Sequence, residues 1–130
     1  AGPELAKACA RVGGCPTGGA RITEGYELKA RHVIHAVGPV WQGGTEGEDD
    51  LLASAYRSSL DLAERQGLAS VAFPAISTGV YGYPLEHATE IAVRTVCDWL
   101  DKAAGIERVV FCVFGEAAEA AYREAMARRA

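Results

Sequence analysis

The sequence predicts an α/β fold: a three-layer α/β/α domain built on a mostly parallel mixed sheet. Short β-like stretches alternate with segments whose apolar residues recur at helical spacing, which is the pattern of right-handed βαβ crossovers. The run Val109 to Phe114 is continuously apolar, as expected of a strand buried on both faces. At 130 residues the chain is the size of one domain, so a single sheet with its covering helices accounts for all of it.

Taken in order, Leu5, Ala8, Cys9 and Val12 fall at i, i+3, i+4 and i+7, a helix started by Pro3 and stopped by Gly13-Gly14. Ala20 to Thr23 and His32 to Val37 read as two strands, with Gly25 between them and Gly38-Pro39 ending the second. After the acidic start Glu48-Asp49-Asp50, the residues Leu52, Ala55, Tyr56, Ser59, Leu60 and Ala63 mark a second helix, stopped by Gly67. Val71 to Phe73 is a short strand and Pro74 to Pro84 a loop. Ala88, Ile91, Ala92, Thr95, Val96, Trp99, Leu100 and Ala103 then mark a long helix ending at Gly105. The Val109 to Phe114 strand follows, and Ala118, Ala121, Tyr122 and Ala125 make the last helix. No internal repeat or linker interrupts this order.

Composition narrows the function. Apolar residues make up 49% and charged residues 23%, which fits a packed globular protein and excludes disordered or disulfide-scaffold classes. The net charge of −4 argues against gripping nucleic acid through a broad basic surface. Cys9, Cys15, Cys97 and Cys112 show neither a C-x-x-C pair nor zinc-type spacing and read as reduced thiols. With no leader-like or membrane-length apolar run, the expected location is the cytoplasm.

In sheets of this kind ligands bind beyond the carboxyl ends of the strands, which singles out Gly38 to Glu48, Pro74 to Pro84 and Phe114 to Glu116. The second loop, Pro74-Ala-Ile-Ser-Thr-Gly-Val-Tyr-Gly-Tyr-Pro84, is a phosphate-loop candidate. Gly79 and Gly82 permit close backbone approach, and successive N–H groups feeding a helix N-terminus form an anion pocket. No Lys or Arg lies between Ala72 and His87, so a phosphate there would be held by backbone. The alternative is a strand-to-helix turn that needs glycine for geometry alone. The loop lacks the P-loop, dinucleotide-binding and nucleophile-elbow signatures. Ser77 with His87 as a nucleophilic pair, or Ser77 and Thr78 as turn hydroxyls, are its other readings.

Phe114 at the end of the last strand either stacks on a purine base or packs in the core, and Glu116 caps the helix that follows. Tyr81 and Tyr83 are lids over a ligand or loop anchors. His32 and His35 point to opposite faces of a strand, which disfavours a metal pair and makes His35 a buried, satisfied imidazole. Trp41 braces the binding loops or closes the core. Glu46, Glu48, Asp49 and Asp50 read as a surface helix start, and Arg123, Arg128 and Arg129 as a solvated basic end. No general acid–base residue is visible.

The Pro74 to Pro84 string, with Cys15-Pro-Thr-Gly18 and Val33-Ile-His-Ala-Val-Gly-Pro-Val-Trp41 ahead of it, closely resembles the macrodomain family. The likeness is strongest to its MacroD-type branch, whose bacterial members include O-acetyl-ADP-ribose deacetylases. The resemblance implies an ADP-ribose-binding domain that hydrolyses O-acetyl-ADP-ribose or ADP-ribosyl esters on acidic protein side chains, without a metal or cofactor. It implies that Ser77, Thr78, Gly79, Val80, Tyr81 and Gly82 wrap the diphosphate and distal ribose, and that Phe114 lies beside the adenosine. The expected partners are ADP-ribose or its O-acetyl ester and ADP-ribosylated proteins, with no membrane and no nucleic acid.

One departure stands out. Family members carry about two strands, an adenine-recognising Asp and a glycine-rich catalytic loop with Asn and Asp ahead of the segment matching Ala1 to Leu5, and none of these is in the sequence. The expectation is a single macrodomain over 1–130 lacking its N-terminal portion, with its catalytic residues outside the chain, half the ligand pocket absent and a sheet face left uncovered, inviting pairing with another chain. A reader of ADP-ribose that does not turn it over is the alternative function. A phosphate-loop structural or RNA-binding domain is a further one, which the acidic charge disfavours.

Overall fold

The computed structural model describes residues 3–79, 81–102 and 105–129. Eight elements follow one another: α1 (Pro3–Val12), β1 (Ala20–Glu24), β2 (His32–Ala36), α2 (Glu48–Arg65), β3 (Ser70–Phe73), α3 (Leu85–Lys102), β4 (Arg108–Phe111) and α4 (Glu116–Arg129). Each coincides with an element expected from periodicity. Ala103, assigned to the long helix, lies outside the described residues.

The strands form two ladders. β1 and β2 pair antiparallel, with Ile22 opposite Ile34, while β3 and β4 pair parallel, with Val71 opposite Val109. Side chains alternate across a strand, so neighbours His35 and Ile34 face opposite ways. His35 meets Cys9 of α1, its ring nitrogens 3.7 and 3.9 Å from the Cys9 sulfur, whereas Ile34 packs into the core built on α2. The first ladder is thus sandwiched between helices, which gives the α/β/α layering.

The ladders do not join in one sheet. A channel of about 650 Å³ runs between the facing edges of β2 and β3, and the buried Nδ1 of His32 beside it has no hydrogen-bond partner. β4 stops at Phe111, shorter than the expected Val109 to Phe114, and its apolar residues are half-buried rather than enclosed. A strand reads as buried on both faces only where neighbours and helices cover it.

The core sits where α2, α3 and the second ladder meet. Leu52, Ala55, Tyr56, Ser59, Leu60 and Ala63, one face of α2 by spacing, are all buried, with Ala88, Ile91, Ala92 and Val96 of α3 against them. The aromatic rings of Tyr56, Phe73, Phe111 and Tyr122 link these layers at centroid separations of 5.0 to 6.3 Å. The basic end of α4 is not simply solvated. Arg128 reaches Glu90 at 2.9 Å and Arg129 reaches Asp98 at 3.2 Å, tying α4 to α3, while Arg123 pairs with Glu119 within α4. The hydrogen bond from Arg128 holds the Glu90 carboxyl below its ordinary value. All four cysteines are free, and no described helix is long and apolar enough to cross a membrane.

Candidate functional site

Parallel pairing of β3 and β4 brings the loops at their carboxyl ends side by side. Cys112 donates its N–H to the Phe73 carbonyl at 2.7 Å, carrying the alignment just past the strands. Between the loops opens a cleft of about 570 Å³, with Pro74, Thr78 and Gly79 on one wall and Val113, Phe114 and Gly115 on the other. Both walls lead into helices, α3 and α4, whose N-terminal ends carry partial positive charge.

The loop is shaped by backbone. Gly82 donates to the Gly79 carbonyl at 3.0 Å and Tyr83 to the Ser77 carbonyl at 2.9 Å. Gly82 has φ +74°, a conformation that glycine adopts without strain. Ser77 has φ +67°, uncommon for a residue with a side chain, and its buried hydroxyl has no partner. The room for that hydroxyl comes from Gly38. A Cβ there would lie 2.2 Å from Ser77 Oγ and 2.5 Å from Ile76 Cγ2. Thr78 closes a turn from Ala75, to whose carbonyl its hydroxyl donates at 3.1 Å, while among the described residues the N–H groups of Gly79 and Tyr81 have no backbone acceptor and stand as donors at the loop's crest.

Three anchors hold this loop from behind, and periodicity flagged only one of them. Trp41 donates its backbone N–H to the Tyr81 carbonyl at 2.8 Å and packs its ring on Tyr83, so it braces the loop. Tyr56 of α2 accepts the Ile76 N–H at 3.4 Å, and burial pushes its hydroxyl well above the ordinary range, keeping it neutral. Tyr83 is buried and donates its hydroxyl to Asp49, so it is an anchor and not a lid, while Tyr81 is exposed.

The acidic start of α2 is not a plain surface. Glu48 is 2% exposed and accepts N–H groups from Gln42, Gly44 and Glu46 at 2.8, 2.9 and 2.7 Å. Burial works to raise its carboxyl, but the three donors outweigh it and hold the group at about 2. Asp49 accepts from Tyr83 and lies 2.7 and 2.9 Å from His87 Nε2. His87 is therefore engaged by Asp49, and the Ser77–His87 nucleophilic pair does not form. A Tyr in the middle of an apolar helix face needs a polar partner, which is the one signal that could have pointed to Tyr56.

Of the expected site residues, Thr78, Gly79 and Phe114 come together across the cleft, and Ser77, Tyr81 and Gly82 continue the same loop. Val80 lies outside the described residues. Phe114 is fully exposed, so core packing is excluded for it. His35 is half-buried and meets Thr23 Oγ1 at 3.0 Å, in line with a satisfied imidazole. No group of three His, Cys, Asp or Glu able to hold a metal occurs among the described residues.

Residues 1–92 match the family model described as Macro domain. A macro domain-containing protein of Chlorobaculum tepidum is 54% identical over 127 residues, covering 98% of this chain and 74% of that protein. A Klebsiella pneumoniae protein named O-acetyl-ADP-ribose deacetylase is 53% identical over 131 residues, covering 98% and 75%. Among solved structures, an Oceanobacillus iheyensis macrodomain with ADP superimposes at a TM-score of 0.93 with 38% identity, covering 99% of this chain and 71% of that one. A Trypanosoma brucei macrodomain in complex with ADP reaches 0.89 with 42% identity, covering 97% and 53%. The chain belongs to the macro domain family.

Proposed function

We propose that the chain binds ADP-ribose in the cleft between the Ser77 to Gly82 loop and Phe114, and acts as a hydrolase on O-acetyl-ADP-ribose and ADP-ribosyl esters. The observation that carries this reading is the juxtaposition of unpaired loop N–H groups with a fully exposed aromatic across one cleft. Such N–H groups beside two helix N-termini suit a diphosphate without any cationic side chain. An aromatic face suits a purine. The Klebsiella relative's name and the ADP in two structural neighbours support the same ligand class.

In the hydrolytic step a water adds to the ester carbonyl carbon, the bond from that carbon to the ribose oxygen breaks, and the proton from water ends on the ribose hydroxyl. The loop's part is to hold the diphosphate and distal ribose so that the water and the ester meet in one geometry. Ser77, Thr78, Gly79, Tyr81 and Gly82 would bind and orient, and Phe114 would fix the far end. The cleft brings no described His or paired carboxylate to the reacting end, which favours a second reading, an ADP-ribose reader without turnover.

Calorimetric titration of this chain with ADP-ribose, and with AMP as control, tests the binding. Tighter binding of ADP-ribose is expected, and equal affinity or none overturns the assignment of the loop. Acetate release from O-acetyl-ADP-ribose then separates hydrolase from reader.

A further inference from the structure

We infer that Asp49 is a positioning residue for the ligand-binding loop, acting through the Tyr83 hydroxyl. This rests on the reading that Ser77 to Gly82 holds a diphosphate. Consecutive carboxylates at the start of α2 fasten two different loops. Glu48 gathers the N–H groups of Gln42, Gly44 and Glu46, while Asp49 takes the hydroxyl of Tyr83, where the ligand-binding loop enters α3. Trp41 connects the two, with its N–H on the Tyr81 carbonyl and its ring 4.7 Å from that of Tyr83. The His87 imidazole stacks on Tyr83 at 6.0 Å and shares the Asp49 carboxylate.

The loop needs such a fastening. Ser77 occupies a left-handed backbone conformation that a serine does not choose unaided, and such residues persist only where surrounding contacts over-determine them. The contact that closes the loop on Ser77 is the N–H of Tyr83 itself, at 2.9 Å from the Ser77 carbonyl. Tyr83 therefore clamps Ser77 with its backbone and is clamped by Asp49 through its side chain. Burial, and then the bond to Asp49, push the Tyr83 hydroxyl well above its ordinary range, so it stays protonated and keeps donating. Without Asp49, Tyr83 keeps its place among Trp41 and His87 but loses its fixed rotation, Ser77 relaxes, and the crest of the loop loses its fixed shape.

The side chains of Asp49 and His87 are about half exposed, so trimming Asp49 opens no cavity, and loss of ligand can be told from loss of fold. The experiment is calorimetric titration of the chain and its variants with ADP-ribose, with thermal midpoints measured alongside. D49A and Y83F should each weaken ADP-ribose by about tenfold, the weight of one hydrogen bond to a charged acceptor. D49A/Y83F should be no weaker than D49A alone, because the bond that Y83F removes is already gone in D49A, which also loses the contact with His87. D49N keeps a carbonyl that accepts from Tyr83 and should recover most of the affinity, which a role resting on charge alone would not allow. Wild-type affinity in D49A, additive losses in the double variant, or a D49N as weak as D49A would each overturn the proposal. Should the unaltered chain fail to prefer ADP-ribose over AMP, the reading of the loop falls first, and that result is distinct from all three.

Discussion

Replacing Phe114 by alanine is the cleanest perturbation of the site, because the ring is wholly exposed and contributes no packing to the fold. Its removal should change folding stability by less than about 0.5 kcal/mol, as for other surface positions. The cost to binding is different. A phenylalanine presents roughly 150–250 Å² when fully covered, and a base laid on one face would cover about 80 Å² of it. At about 25 cal/mol per Å² that amounts to about 2 kcal/mol, within the range of about 1–3 kcal/mol for one base stacked on an aromatic. F114A should therefore bind ADP-ribose about 30-fold more weakly. Adenine is common to ADP-ribose and AMP, so calorimetry should show the same loss for both ligands, with an unchanged thermal midpoint. Unchanged affinity for both would refute the argument that an exposed ring at the end of β4 is there to meet a base.

Gly79 gives the complementary test. A Cβ there meets nothing within 4 Å, so G79E should fold normally yet, on the proposed reading, abolish ADP-ribose binding in calorimetry, since its carboxylate would stand where the diphosphate would lie. G38A drives a methyl into Ser77 Oγ and Ile76, and should cost about 1–3 kcal/mol of stability by denaturant titration while also weakening ADP-ribose. L60A removes a side chain with no exposure from the centre of the core, and should lose about 2–5 kcal/mol in the same titration. Glu48 sets an acid limit. Its carboxyl is lowered from 4.5 to about 2 on folding, so the stability it contributes is complete above 4.5 and is lost as the pH falls toward 2. Thermal melts from pH 7 to pH 2.5 should show E48Q less stable at neutrality, with the gap to the unaltered chain narrowing in acid.

The helices were legible because each is written in one period. The α2 face from Leu52 to Ala63 is buried residue for residue as its spacing requires. The sheet was less legible, because whether a strand is enclosed depends on neighbours far away in sequence. The apolar run Val109 to Phe114 promised a strand covered on both faces, yet the strand ends at Phe111, and the exposed last residue of the run lines the cleft. Hydrophobicity alone does not separate an aromatic that packs from one that waits for a ligand. Beyond the last bond of the ladder Val113 still packs against the core while Phe114 is exposed, so position relative to the strand end alone does not separate them either.

The acidic cluster is where sequence reasoning failed, and the failure has a physical cause. Glu48, Asp49 and Asp50 carry the composition of an exposed helix start, yet Glu48 is buried, Asp49 half-buried and only Asp50 exposed. A carboxylate is read as surface because burying a charge is costly, but the cost vanishes when enough N–H donors converge on it. For Glu48 the donors belong to the glycine-rich turn Gln42 to Glu46, close in sequence but converging only once that turn has folded, whereas Asp49 meets the hydroxyl of Tyr83, thirty-four residues on and beyond any local window. Gly38 carries the same lesson. In sequence it ends a strand, whereas in space it makes room for Ser77. The Ser77 to Gly82 loop is thus shaped by residues that look structural or superficial in the sequence. Mutations at Gly38, Glu48 and Asp49 should accordingly reach the ligand without touching it.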